Sequence, residues 1–210
     1  MERGNTRQDI LNAALDLFST KGFEATSVLQ IAEAVGIRKA SLYSHFASKQ
    51  EILDALIQSV LEQYTRHSIF AGADWDDPHF TADKQDITAE KTVQMIVGQV
   101  GYILHDPTVR KARKMLTVEQ FCNAQMAALQ TKQNYTDVMR YCTGLVRFLI
   151  RRGTLSDGDA EMMAAQLCLP ISVWINLCDR EPEREEEIME HIERHTRRFF
   201  DMYQRRENSR

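Results

Sequence analysis

Thr26 to Phe46 reads TSVLQIAEAVGIRKASLYSHF, and this stretch decides the fold. Ser27 and Gln30 stand at capping-box spacing, which satisfies the orphan amides at a helix start. Val28, Ile31, Ala32 and Val35 then form one apolar stripe, and Gly36 breaks the helix. A second short helix follows from about Arg38 to Phe46, with Leu42 and Phe46 four apart on one face. Two helices that cross this closely need a small residue at the crossing, a turn residue that tolerates positive φ, and apolar positions tying both to a core. Ala32 supplies the first and Gly36 the second; Ile31, Ile37, Leu42 and Phe46 supply the third. This is a helix–turn–helix. It leaves Arg38, Lys39, Ser41, Tyr43, Ser44 and His45 at or near the outer face of a helix narrow enough to enter the DNA major groove.

The flanks extend the pattern. Residues 6–20 form an amphipathic helix on Ile10, Ala14, Leu17 and Phe18, with Thr6 as N-cap and Gly22 as stop. Ser48 and Glu51 make another capping box, opening a longer helix with Ile52, Leu53, Leu56, Ile57, Val60, Leu61 and Tyr64 inward. Residues 67–87 lack a period and read as a loop. Helical spacing returns with Val93, Ile96, Val97, Val100 and Leu104, and Asp106-Pro107 reads as N-cap and first helical residue. Helices are expected onward to about Thr131, from Tyr135 to Arg152, from Asp157 to Cys178 with a bend at Pro170, and from Glu183 to Tyr203. No strand and no repeat emerges. The expected architecture is all-α: a compact three-helix head at 1–50 and a larger helical body at 51–210.

Composition fits a globular chain. Of 210 residues, 43% are hydrophobic and 27% charged, which excludes disordered and collagen-like classes. No apolar run approaches the ~18–20 residues needed to span a bilayer. The opening MERGNTRQDI has no signal-peptide core, so a cytoplasmic protein is expected, with no membrane partner. The net charge of −4 argues against nucleic acid only until it is divided. Residues 1–53 balance six bases (Arg3, Arg7, Lys21, Arg38, Lys39, Lys49) against six acids (Glu2, Asp9, Asp16, Glu24, Glu33, Glu51). From Ile37 to Gln50 there are three bases and no acid, and that is the stretch that would face a duplex.

AALDLFSTKGFEATSVLQIAEAVGIRKASLYSHFASKQEILDALI resembles the DNA-binding head of TetR-family transcriptional regulators over roughly residues 6–57. The resemblance rests on Leu17-Phe18 with Gly22-Phe23, Thr26 before the second helix, Leu42-Tyr43 with Phe46, and Ser48-Lys49-Gln50-Glu51. It implies a homodimer that binds double-stranded palindromic operator DNA and releases it when a small molecule enters the body. Residue by residue, it implies groove or backbone-wall contacts from Lys39, Ser41 and Tyr43, and phosphate contacts from His45 and Lys49. Thr26 and Ser27 would anchor a phosphate at the preceding helix. Arg38 stands where the family often has a capping Ser or Thr, so it leaves the recognition helix uncapped or gains a phosphate or guanine contact instead.

The body says less. Met and aromatic residues recur on its apolar faces, and Tyr102, Met115, Phe121, Met139 and Trp174 are candidates for a ligand pocket against a reading as plain core. Glu119, set among Met115, Leu116, Val118, Phe121 and Cys122, is a pocket carboxylate for a cationic ligand, or else an exposed or ion-paired acid. Arg110, Lys111, Arg113 and Lys114 read as a solvated face, with a nucleic-acid or anion contact as the alternative, and the resemblance implies that they could meet acids of the head. The last two long helices carry Leu167, Ile171, Trp174, Ile175 and Cys178, then Ile188, Ile192, Phe199 and Tyr203, and read as a two-fold dimer interface. The four cysteines lack zinc spacing and read as buried thiols, and His191 with His195 make two ligands of an incomplete metal site. No metal, cofactor or catalytic group is expected. A ligand-responsive repressor is the leading function; an all-α enzyme or a protein-binding helical module are the alternatives, and no hydrolase, zincin or phosphate-loop motif favours the enzyme.

Overall fold

The computed structural model describes residues 5–67 and 87–204. Among them the chain forms α1 (Thr6–Lys21), α2 (Val28–Val35), α3 (Lys39–Tyr43), α4 (Lys49–His67), α5 (Ala89–His105), α6 (Pro107–Glu119), α7 (Ala124–Thr131), α8 (Asp137–Arg151), α9 (Ala160–Arg180) and α10 (Glu185–Tyr203). A π-helical turn, Lys132–Thr136, joins α7 to α8, and a 3-10 turn, Pro182–Arg184, precedes α10. The fold is all-α: pairing of extended backbone among the described residues is limited to one bridge, Leu155 with Gln204. The loop expected at 67–87 falls, apart from its end residues, outside the described residues.

The helix boundaries follow from local chemistry. Ser27 Oγ accepts from Gln30 N–H at 3.2 Å, and the Gln30 side chain accepts from Ser27 N–H at 2.8 Å, completing the capping box. Asp106 Oδ1 accepts from Thr108 and Val109 N–H at 3.0 and 2.9 Å, with Pro107 behind it where no backbone donor is needed. α1 differs from expectation: its N-cap is Asn5, with no side-chain cap, and Thr6 is the first helical residue. The run to Thr131 is broken at residues 120–123, where Asn123 Oδ1 caps a new helix by accepting from Gln125 and Met126 N–H. Pro170 does not interrupt α9, which continues through it to Arg180. α9 is also, by length and composition, apolar enough to cross a bilayer, contrary to the reading of the bare sequence. Its Met163, Ala164, Leu167, Cys168 and Ile171 are buried in a protein core shared with α8 and α10.

The chain packs into two compact units. The first takes residues 5–67 and 105–130. Its core joins Ile10, Ala14 and Phe18 of α1, Ile31 of α2, Leu42 of α3, and Ile52, Leu53 and Leu56 of α4. Ala112, Met115 and Leu116 of α6 and Met126 of α7 belong to the same cluster. Each of the Ile, Leu, Phe and Met side chains, fully buried, is worth about 1.5–3 kcal/mol. α6 packs against α1 and α4, and the exposed Lys111 pairs with Asp16 of α1, so one cation of the α6 row does meet an acid of the head.

The second unit takes residues 87–104 and 131–204. α8 packs on α9 and α9 on α10 around Val146, Leu149, Leu167, Ile192 and Phe199, with Val93 and Val100 of α5 in the cluster. Cys142, Cys168 and Cys178 are buried thiols, but Cys122 is exposed. His191 Nδ1 lies 2.6 Å from Glu187 O and His195 Nε2 3.1 Å from Leu167 O, and both rings flank Trp174. Glu185, Glu186 and Glu187 occupy the first turn of α10, where the helix dipole favours negative charge. Arg197 grips Glu90 of α5 with both terminal nitrogens and also bonds Glu193, which lowers the Glu90 carboxyl to about 2. A carboxyl depressed in the folded state stabilises above its unfolded pKa and loses that contribution as pH falls toward the folded one. The thermal midpoint of the wild type should therefore fall more between pH 5 and pH 2 than that of Glu90→Gln, as read by calorimetry across that range; equal falls would show that the pair adds nothing.

Candidate nucleic-acid interface

The interface is built from behind. Leu42 and Phe46, 0% and 1% exposed, fix the inner side of α3 and of the turn after it into the core of the first unit. The turn between α2 and α3 is a Schellman motif: Gly36 N–H reaches Glu33 O and Ile37 N–H reaches Ala32 O, both at 3.0 Å. Gly36 has φ 75° and ψ 28°, a left-handed conformation that glycine adopts at no steric cost. With its inner side held, α3 presents Lys39, Ser41 and Tyr43 to solvent. Tyr43 is 45% exposed and Lys39 Nζ lies 5.8 Å from its ring centre, a cation and an aromatic one helical turn apart on one face. Arg38 occupies the N-cap of α3 without a side-chain cap bond, and its side chain is exposed. His45 is exposed in the turn that follows, and Ser27 is exposed at the start of α2 with its hydroxyl already accepting from Gln30.

Two of the residues read from the sequence as contacts have other duties. Thr26 is 1% exposed and its hydroxyl donates to Gly22 O at 2.7 Å, so it fastens the turn between α1 and α2 from inside and does not offer that hydroxyl to a phosphate. Lys49 Nζ donates to Phe23 O at 2.7 Å and sits 4.2 Å from the centre of the Phe23 ring. Its charge is directed inward. The N-terminus of α4 is met by the chain's own groups: Ser48 Oγ accepts from Glu51 N–H, and Glu51 Oε2 accepts from Ala47 N–H at 2.6 Å. A cation that the sequence reading passed over is Arg7, whose guanidinium lies 4.8 Å from the centre of the Phe46 ring, beside the turn after α3. Its position before an apolar stripe gave no sign of that neighbour.

The six pocket candidates are divided between the two units, three in each. Met115 is 2% exposed and belongs to the core beneath the head. Phe121 is 88% exposed at the end of α6. Glu119 is neither exposed nor ion-paired: it is 6% exposed, and Oε1 accepts from Phe23 N–H at 2.8 Å. Its signal was present in the sequence, because Ala112, Met115, Leu116 and Glu119 fall on one helical stripe; its partner, 96 residues away, was not. Tyr102, Met139 and Trp174 are half-buried in the second unit, where Met139 Sδ accepts from Cys168 Sγ–H at 3.7 Å.

Gly22 shows how closely Glu119 approaches. Its φ of 87° and ψ of 160° lie in a region that is essentially reserved for glycine, and a Cβ there would stand 2.8 Å from Glu119 Oε1. A Cβ on Gly36 would meet nothing within 4 Å. Gly36→Ala should therefore cost about 1 kcal/mol from backbone conformation alone, and Gly22→Ala roughly 2–3 kcal/mol, as measured by urea midpoints. The opposite order would contradict this placement of Glu119.

The family profile described as bacterial regulatory proteins, tetR family, matches residues 10–56. The HTH-type transcriptional repressor KstR2 of Mycobacterium tuberculosis is 43% identical over 56 residues, 27% of this chain and 28% of that protein, so the match spans little more than a quarter of the relative. The HTH-type transcriptional regulator UidR of Escherichia coli is 27% identical over 179 residues, 85% of this chain and 83% of that one. The crystal structure of MexZ, a repressor from Pseudomonas aeruginosa, shares the fold with a TM-score of 0.70 at 20% identity, over 97% of this chain and 96% of that one.

Proposed function

This chain belongs to the TetR family of bacterial transcriptional regulators, and from that premise we propose that it is a repressor that binds a palindromic operator as a homodimer and leaves it when a small-molecule effector binds. The observation that carries the reading is the outer row of α3. Lys39, Ser41 and Tyr43 stand exposed on a helix whose inner residue, Leu42, is fully buried, and no acid interrupts residues 37–50. Lys39 and Tyr43, a turn apart, with Ser41 further round, put exposed donors and a cation on a groove-sized helix, which suits base edges and the phosphates that flank them. Arg38 and His45 flank α3 in sequence, Ser27 is exposed at the start of α2, and Arg7 adds a cation beside the turn after α3. In this reading residues 1–50 do the DNA binding, residues 51–210 bind effector and dimerise, and the protein works in the cytoplasm, where its DNA partner is.

The homodimer is assigned to α9 and α10. Met162, Val173 and Met202 are 57%, 63% and 56% exposed there, an apolar surface that suits a second helix pair. α10 places Glu185, Glu186, Glu187, Glu190 and Glu193 before Arg194, Arg197 and Arg198, so an antiparallel second copy would set acids against bases. The effector is assigned to the helical body, with Tyr102, Met139 and Trp174 as its contact candidates. It would act by shifting the population toward an arrangement in which the two heads no longer match the spacing of the half-sites.

Gel-shift titration of the dimer against the duplex upstream of its own gene, or against duplexes selected from a random pool, tests the reading. Affinity should fall steeply with salt, and Lys39→Ala and Tyr43→Ala should each weaken operator binding about tenfold or more while the dimer stays intact in size-exclusion chromatography. A flat salt response, or unchanged affinity in both variants, would reject α3 as the reading element.

A further inference from the structure

We propose that Glu119 is a positioning residue for DNA binding: by holding the Phe23 peptide it registers α6 against the recognition helix. The inference rests on the reading of α3 as the DNA-binding element. Phe23 is gripped on every side. Its N–H donates to Glu119 Oε1 at 2.8 Å, its carbonyl accepts from Lys49 Nζ at 2.7 Å, and its ring lies under that ammonium and edge-on to Phe18 at 5.2 Å. The next turn is closed by Thr26 on Gly22 O, directly before α2 begins.

The two elements that flank α3 are thus both tied to one residue: α2 follows Phe23 closely in sequence, and the first residue of α4 is bonded to its carbonyl. Glu119 ties the N–H of that same residue to the last residue of α6. A buried carboxylate is a costly group with which to join helices if packing alone were needed, because its desolvation must be offset, whereas an apolar side chain would pack without that cost. What it adds is direction. A charge-assisted bond of this length weakens sharply when its partners part by about 1 Å, so any displacement of the end of α6 is felt at both neighbours of α3. The absence of a Cβ at Gly22 is what lets the carboxylate come so close.

The test uses the full-length dimer and operator duplex, with Glu119→Ala, Glu119→Gln and, as a packing control, Met126→Ala, which removes a fully buried side chain from the same core. Glu119→Ala should lose tenfold or more in operator affinity with an unchanged slope of log K against log salt, because every cation facing the duplex is retained. Its Phe23 amide should exchange hydrogen faster while core amides of α1 stay protected. Glu119→Gln, which keeps an acceptor oxygen, should recover to within about threefold of wild type. Met126→Ala should lower the thermal midpoint yet keep the operator affinity of the folded dimer. Should the alanine variant not fold, Glu119→Leu fills the site without accepting a hydrogen bond and carries the same expectation. Wild-type affinity in Glu119→Ala or Glu119→Leu would overturn the inference, and so would an equal loss in Met126→Ala, which would reduce Glu119 to a stabilising contact. A wild-type dimer that selects no duplex would overturn the DNA-binding reading itself, and this inference with it.

Discussion

The head of this protein depends on the two peptide groups that flank one residue. Phe23 gives its N–H to a buried carboxylate, its carbonyl to an ammonium, and its ring to Phe18 and to that same ammonium. Neither charge is left without a partner, and each is satisfied by the backbone of one residue. Helix packing by apolar stripes fixes which faces meet, but it tolerates small slides along the stripe. Hydrogen bonds of under 3 Å do not. The apolar core therefore sets the arrangement of α1, α2, α4 and α6, and the Phe23 contacts set its register.

This changes how the charge of the head is counted. Of the three bases between Ile37 and Gln50, Lys49 is spent inside the fold, which leaves Arg38 and Lys39 on the outer face, with Arg7 contributed by α1. On the proposed reading, a DNA-facing surface with so few cations gains from being doubled, because phosphate contacts from two copies add in free energy. A dimer is thus consistent with a chain whose net charge is −4. Two acids of the head are engaged elsewhere: Asp16 is paired with Lys111 on α6, and Glu51 caps α4.

α6 holds an unusual place. Its apolar stripe of Ala112, Met115 and Leu116 completes the core beneath the head, its Lys111 meets α1, and its last residue holds Phe23. By packing it belongs to the same unit as the helix–turn–helix, although it comes nearly forty residues after α4 in sequence. The second unit has its own core and its own ion-pair tie, Arg197 across to Glu90. Met and aromatic residues that look alike on the page thus have different roles. Met115 fills a core, Phe121 faces solvent, and Trp174 lies against two imidazoles.

What the sequence determined by itself was whatever depends on neighbours within a turn or two. The capping box of Ser27 and Gln30, the Asp106-Pro107 start, the left-handed turn at Gly36 and the buried face of Leu42 and Phe46 are all set by residues only a few positions apart, and spacing reports them directly. The tertiary structure alone decided where charged side chains are directed. The resemblance makes Lys49 a phosphate contact, and the sequence leaves Glu119 between a pocket acid and an exposed or ion-paired one, because spacing shows no local partner for either. Both have partners on one residue, 26 and 96 positions away, and a hydrogen bond to backbone leaves no trace in the identity of the residue that supplies it.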